Sequence, residues 1–167
     1  METTHAADTE FLVKKSMSSG YRLFSVLTPP VYTAFVLMQR GRGAFSMNRL
    51  LRATWLGGAV GTVAGGGIEY ARSAYSNADT VRTRRIELAY NTTTIRAEDH
   101  STIGGLLFAL LTPAIFWKRA RTVHLILGGA GIGSAIGSGV HIARVLSGDR
   151  PPQVAVPTAS GPVVADP

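Results

Sequence analysis

The sequence contains no cysteine, and charged residues make up only 16% of its 167 positions, against roughly 25% in ordinary soluble domains. Without thiols it can be neither a disulfide-built module nor a thiolate metal protein. Acids are the scarcer charge, with 10 Asp plus Glu against 17 Lys plus Arg. Aromatic residues are also few, at 8%. With 46% hydrophobic residues the chain is too apolar for a disordered protein. What it has in quantity is glycine, 19 residues, and positive charge, a formal net of +7. Small residues of this kind are frequent where membrane helices approach closely.

The few charges are unevenly spaced. Four stretches carry no Asp, Glu, Lys or Arg: 17 residues from Leu23 to Gln39, 16 from Ala53 to Ile68, 18 from His100 to Trp117, and 22 from Thr122 to Ala143. As helices these measure roughly 24–33 Å, the thickness of a hydrocarbon core when basic side chains snorkel at its edges. The alternative is a soluble bundle of unusually apolar helices. Against it, Gly57–Ile68 and Leu125–Ile142 lack the polar face, repeating every 3.6 residues, that a soluble surface helix carries. The expected fold is therefore all-α: four transmembrane helices, at about 23–39, 53–71, 101–117 and 123–143. They form a membrane domain over 16–147, with an N-terminal extension at 1–15 and a Pro-rich tail at 148–167.

Two connections are purely basic. Arg40, Arg42, Arg49 and Arg52 follow the first window, and Lys118, Arg119 and Arg121 follow the third. Both join odd spans to even ones, so they share a side, and the positive-inside rule makes that the side of insertion. The termini and the mixed-charge loop from Arg72 to Asp99 then face the opposite side. These seven basic residues read as topology determinants and phospholipid-headgroup contacts, cardiolipin among them. Without aromatic interleaving they do not read as a nucleic-acid surface. No basic presequence or secretory hydrophobic region occupies the first 15 residues.

The windows repeat. Leu56–Arg72 aligns with Leu127–Arg144 with one inserted residue, and Leu27-Thr-Pro-Pro-Val-Tyr32 echoes Leu111-Thr-Pro-Ala-Ile-Phe116. The simplest description is two hairpins, each a Pro-containing helix followed by a Gly-striped one. Gly57, Gly61 and Gly65 recur every four residues, as do Gly129, Gly133 and Gly137. Each set lies along one helix face, where a neighbouring helix can dock at short range. These are packing residues, not chemistry.

No arrangement of catalytic or cofactor-binding residues is evident. Gly129-Ala-Gly131-Ile-Gly133 with Asp149 downstream is a fragment of a dinucleotide fingerprint, without the strand and βαβ unit it needs. His5, His100, His124 and His141 show no ligand spacing. Asn91-Thr92-Thr93 matches a common glycosylation triplet. Glu69 and His141 fall at equivalent places in the repeat. An ionisable residue near a membrane boundary can mark a proton path, but local pairing of Glu69 with Arg72 is the plainer reading.

Four spans with Gly-striped second and fourth helices, Gly67-Ile-Glu-Tyr70 and Arg96-Ala-Glu-Asp99-His-Ser-Thr-Ile-Gly104-Gly105 together resemble the mitochondrial inner-membrane PRAT family. Arg96 and Asp99 stand one residue closer than in the family pattern, and the loop from Tyr70 to Arg96 is longer. The resemblance covers roughly residues 53–145. It implies a multi-pass inner-membrane subunit of a large hetero-oligomeric complex, with other membrane subunits as partners and no cofactor of its own. The family includes translocase channel subunits and an accessory subunit of respiratory complex I. Basic short loops, spans poor in polar residues and the Pro-rich tail fit the non-catalytic complex I role. A translocase lining an aqueous cavity calls for more polar spans. A membrane-shaping scaffold oligomerising through its glycine stripes is a third reading.

Overall fold

The computed structural model describes residues 2–41, 43, 45–149, 151, 152 and 154. Among these it is all-helical: α1 (Glu2–Arg40), α2 (Met47–Ala74), α3 (Ala78–Tyr90), α4 (Thr92–Phe116) and α5 (Thr122–Leu146). α1 runs unbroken through the stretch expected to be a separate N-terminal extension. The loop expected between Arg72 and Asp99 holds a 13-residue helix, α3. One residue, Asn91, turns the chain from α3 into α4, its side chain accepting from the Thr94 amide at 3.0 Å. α5 closes at Gly148, whose φ of +89° suits glycine. There the amides of Ser147 and Asp149 return to the carbonyls of Ala143 and Arg144. Residues 155–167, most of the Pro-rich tail, lie outside the described residues, as does Arg42.

α1 packs along α2 and α4 along α5, and the two hairpins meet through α2 and α1 against α5. Glycine sets the separation within each hairpin. A Cβ on Gly61 would come within 2.7 Å of Phe24 Cβ, and one on Gly133 within 2.6 Å of Phe108 Cβ. Gly65 lies against the Ser16 carbonyl and Gly137 against the His100 carbonyl; Gly57 lies against Thr28 and Gly129 against Thr112; Gly20 meets Gly61 as Gly104 meets Gly133. The internal repeat thus extends to individual contacts. In this register Gly57–Arg72 superposes on Gly129–Arg144 without the inserted residue the sequence alignment introduced. Both hairpins start at the same end of the bundle, so the repeat is a parallel one. Both glycine stripes are occupied within the chain, which leaves neither free to build an oligomer.

The burial pattern is inverted relative to a soluble bundle. Among the described residues, five large apolar side chains are buried and thirty-two are exposed, Val63 by 73% and Leu110 by 76%. The buried faces of α2 and α5 are instead Gly, Ser and Thr with Glu69 and His141, plus single leucines, Leu51 and Leu125. Interior hydroxyls bond back to their own helices, Thr54 to the Leu50 carbonyl and Thr62 to that of Gly58, each at 2.9 Å. Two helices, α4 and α5, are long and apolar enough to cross a membrane, with mean hydropathies of 1.2 and 1.5. The most apolar window of α4 is only 11% buried, the opposite of a soluble core helix. α1 and α2 fall below that measure: the uncharged stretch of α1 is interrupted by Thr28, Pro29, Pro30, Tyr32 and Thr33, and α2 is rich in glycine, which adds length without hydropathy.

Candidate functional site: a buried polar layer at the α3 end

Polar chemistry concentrates where α1 begins, α2 ends, α3 crosses, and α4 begins. Asp8, Lys15 and Arg22 stand seven residues apart on one face of α1, each two helical turns from the next. Asp8 is buried and pairs with Arg85 of α3, whose guanidinium also lies 5.6 Å over the Phe11 ring. Lys15 and Arg22 converge on Glu98 of α4, Lys15 Nζ at 2.5 Å and Arg22 Nη2 at 3.2 Å. That cluster ties the first hairpin to the second.

Glu69 is buried at the end of α2. Its carboxylate accepts from Arg84 Nη2 at 2.5 Å, from Ser73 Oγ at 3.1 Å and from Ser16 Oγ at 3.4 Å. The cation is therefore supplied by α3, not by Arg72 as local spacing suggested; Arg72 is exposed. α3 earns its place in the fold this way, since its own apolar contribution is the single buried Val81.

The second hairpin answers with different chemistry at the same places. Where Ser16 meets Glu69 in the first, His100 meets His141 in the second, ring centroids 5.8 Å apart. His100 Nδ1 lies 2.8 Å from the Arg96 carbonyl. Arg96 in turn grips Asp149 with both terminal nitrogens, at 3.1 and 2.8 Å. These bonds hold the Asp149 carboxyl below the usual carboxylate range. Between the hairpins lies a polar cleft of about 140 Å³, bordered by Tyr21, Arg22, Glu98, Ser101 and Ser134. Ser101 Oγ and Ser134 Oγ share a hydrogen bond at 2.5 Å. The cleft is large enough for only a few waters, at about 30 Å³ each.

At the opposite, basic end, Trp55 Nε1 donates to His124 Nδ1 at 3.1 Å, with the rings stacked. The Arg121 amide donates to Asn48 Oδ1 at 3.3 Å. Arg49, Arg52, Lys118, Arg119 and Arg121 are all exposed there.

The residues carrying the PRAT resemblance do not converge on one place. A Cβ at Gly67 would meet open space, and Tyr70 is exposed. Arg96 holds Asp149, Asp99 faces outward, and Gly104 and Gly105 pack on α5. His141 and His100 come together, but among the described residues no three His, Asp or Glu side chains form a group able to hold a metal. The sequence reading missed Asp8, Lys15, Arg22, Arg84 and Glu98. A seven-residue charge period along α1 was the visible signal for the first three. The layer holds its carboxylates in ion pairs that link α1, α2, α3 and α4. No family model, curated protein or solved structure matches the chain.

Proposed function

We propose that this chain is a four-span, non-catalytic membrane subunit that braces a larger hetero-oligomeric complex. The observation that carries the reading is the inverted burial: an apolar exterior around an interior of glycine, hydroxyls and compensated charge. In lipid no hydrophobic force drives helices together, so close backbone packing and interior polar bonds must hold them. Here α1 and α2 supply the two spans that hydropathy alone does not register. α1, at 39 residues, measures roughly 58 Å, so it crosses a core of about 30 Å and still reaches past it to meet α3.

Within that class, the PRAT resemblance favours an accessory subunit of respiratory complex I (NADH:ubiquinone oxidoreductase) in the mitochondrial inner membrane. The termini and α3 would face the intermembrane space and the two basic connections the matrix. The subunit would carry no redox group. The polar cleft at Arg22 and Glu98 favours one second reading, a subunit of an inner-membrane translocase or transporter, because such a cleft is where a polar substrate would be handled.

Two measurements test this. Single cysteines at Ser46 and Asn77, in a chain with none of its own, should label from opposite sides of sealed membranes; labelling from one side refutes four spans. On blue-native gels of gently solubilised membranes, co-migration with in-gel NADH oxidation supports the complex I role. Migration only with import machinery overturns it in favour of the second reading.

A further inference from the structure

The basic end is more than a charged rim. A groove of about 470 Å³ runs along the outer face where α1 lies on α2, lined by Phe24, Leu27, Val31 and Phe35 of α1 and by Ala53 of α2. From Phe24 to Phe35 it extends roughly 17 Å along the helix, about half of a 30 Å hydrocarbon core, which is the depth of one leaflet. Its outer end opens where the charge is. Arg49 precedes Ala53 by four residues, so it sits on the same face one turn nearer the basic end, and Arg52 adjoins it. Both are exposed, and no acid occurs anywhere between Glu10 and Glu69.

We propose that this groove seats one acyl chain of an anionic phospholipid, with its phosphate paired by Arg49 and Arg52. The inference rests on the four-span reading and makes one lipid site out of what composition alone gives as a diffuse basic surface. The repeat supplies its own comparison. Arg121 stands in the second hairpin where Arg49 stands in the first, so both hairpins offer a cation. The counterpart of Ala53, however, is Leu125, a fully buried leucine. The site therefore belongs to the first hairpin, where the small side chain leaves the groove floor open.

The test uses the full chain in phosphatidylcholine vesicles doped with phosphatidylglycerol or phosphatidylcholine carrying an acyl-chain diazirine, with cross-links mapped by mass spectrometry. Phosphatidylglycerol should label residues 24–35 at least fivefold more than phosphatidylcholine does, and more than it labels residues 108–119 of the second hairpin. The pair Arg49→Gln with Arg52→Gln should bring that labelling down to the phosphatidylcholine level. Ala53→Leu, which copies the second hairpin, should reduce it severalfold while circular dichroism and elution volume stay unchanged. Equal labelling by the two lipids, or equal labelling of the two hairpins, overturns the site while leaving the spans intact. Absence of labelling along α1 with either lipid overturns the four-span reading itself.

Discussion

The glycines divide into two kinds that should respond oppositely to a single added methyl. On α2 and α5, Gly61 and Gly133 lie inside the hairpins, where a new Cβ would stand 2.7 Å from Phe24 Cβ and 2.6 Å from Phe108 Cβ. Carbon atoms rest at about 3.5–4.0 Å, so each hairpin must part locally by roughly 1 Å. A gap of that size forfeits a quarter to a half of the dispersion attraction across the contact, and overpacking of this kind costs about 1–3 kcal/mol. The clash is with backbone as well as side chain, which places Gly61→Ala and Gly133→Ala at about 2–3 kcal/mol of destabilisation. Gly67 and Gly139 occupy equivalent places in the repeat, and a Cβ on either meets nothing within 4 Å. There alanine brings only its helix preference, worth about 1 kcal/mol in the stabilising direction. Unfolding of the purified protein from mild detergent into increasing SDS measures all four. In a Trp117→Phe background Trp55 fluorescence reports the α2–α5 contact, and circular dichroism reports the helices. If Gly61→Ala and Gly133→Ala stay within 0.5 kcal/mol of the parent, or if the two kinds shift together, close glycine packing is not what holds the hairpins. Gly61→Leu and Gly133→Leu should go further and abolish assembly into the larger complex on blue-native gels.

Three further outcomes follow from the polar layer. Glu69→Gln or Arg84→Met alone should destabilise by about 3 kcal/mol, because each strands the other charge in a largely buried place, whereas the double variant should recover much of that loss; a double-mutant cycle in which the singles simply add would remove the pair from the account. Asp149 has a lowered pKa in the fold, so its contact with Arg96 is present above the ordinary carboxylate range, near 3.9, and is lost as pH falls through the lower folded value. A spin label at Val154→Cys should accordingly stay immobile through pH 5 and loosen only below about pH 4, while Arg96→Gln should loosen it at every pH; mobility that ignores both changes contradicts the tether. Ser18→Cys, at the exposed mouth of the cleft between hairpins, should react with a small charged thiosulfonate, and Ile136→Cys, on the outer apolar face, should stay unmodified in a bilayer. Equal reactivity of the two would mean the cleft is dry or the outer face wet.

Much of the architecture is written in local pattern and could be read from it. Charge-free windows and glycines at spacing four depend on residues close in sequence, so the all-helical class and the two related hairpins were legible. The polar layer was not, because its partners are far apart along the chain. Lys15 and Arg22 find Glu98, and Glu69 finds Arg84 only after α3 has folded back across the bundle. α3 itself escaped notice because it has no apolar stripe to read, only Val81 turned inward. The same reasoning explains why Glu69 was matched with Arg72: three residues apart is the pairing that sequence can see. α1 continues through residues 2–15 as one helix whose charges at 8, 15 and 22 share a face and pair within the layer.

The interior of this bundle has almost no large side chains to lose, and that reverses the usual cost of substitution. In a soluble core, shrinking a residue opens a void; here the injurious change is enlargement, because the helices already touch through glycine and serine. Outer positions such as Val60, Val63, Leu110 and Ile115 can exchange among greasy side chains of any shape with little effect. A saturation scan should therefore sort inside from outside by volume tolerance, not by hydrophobicity. Drift at these outward-facing sites would erase similarity to relatives while the small residues stayed fixed, so descent in such a chain would persist in the rhythm of its glycines long after the remaining sequence had diverged.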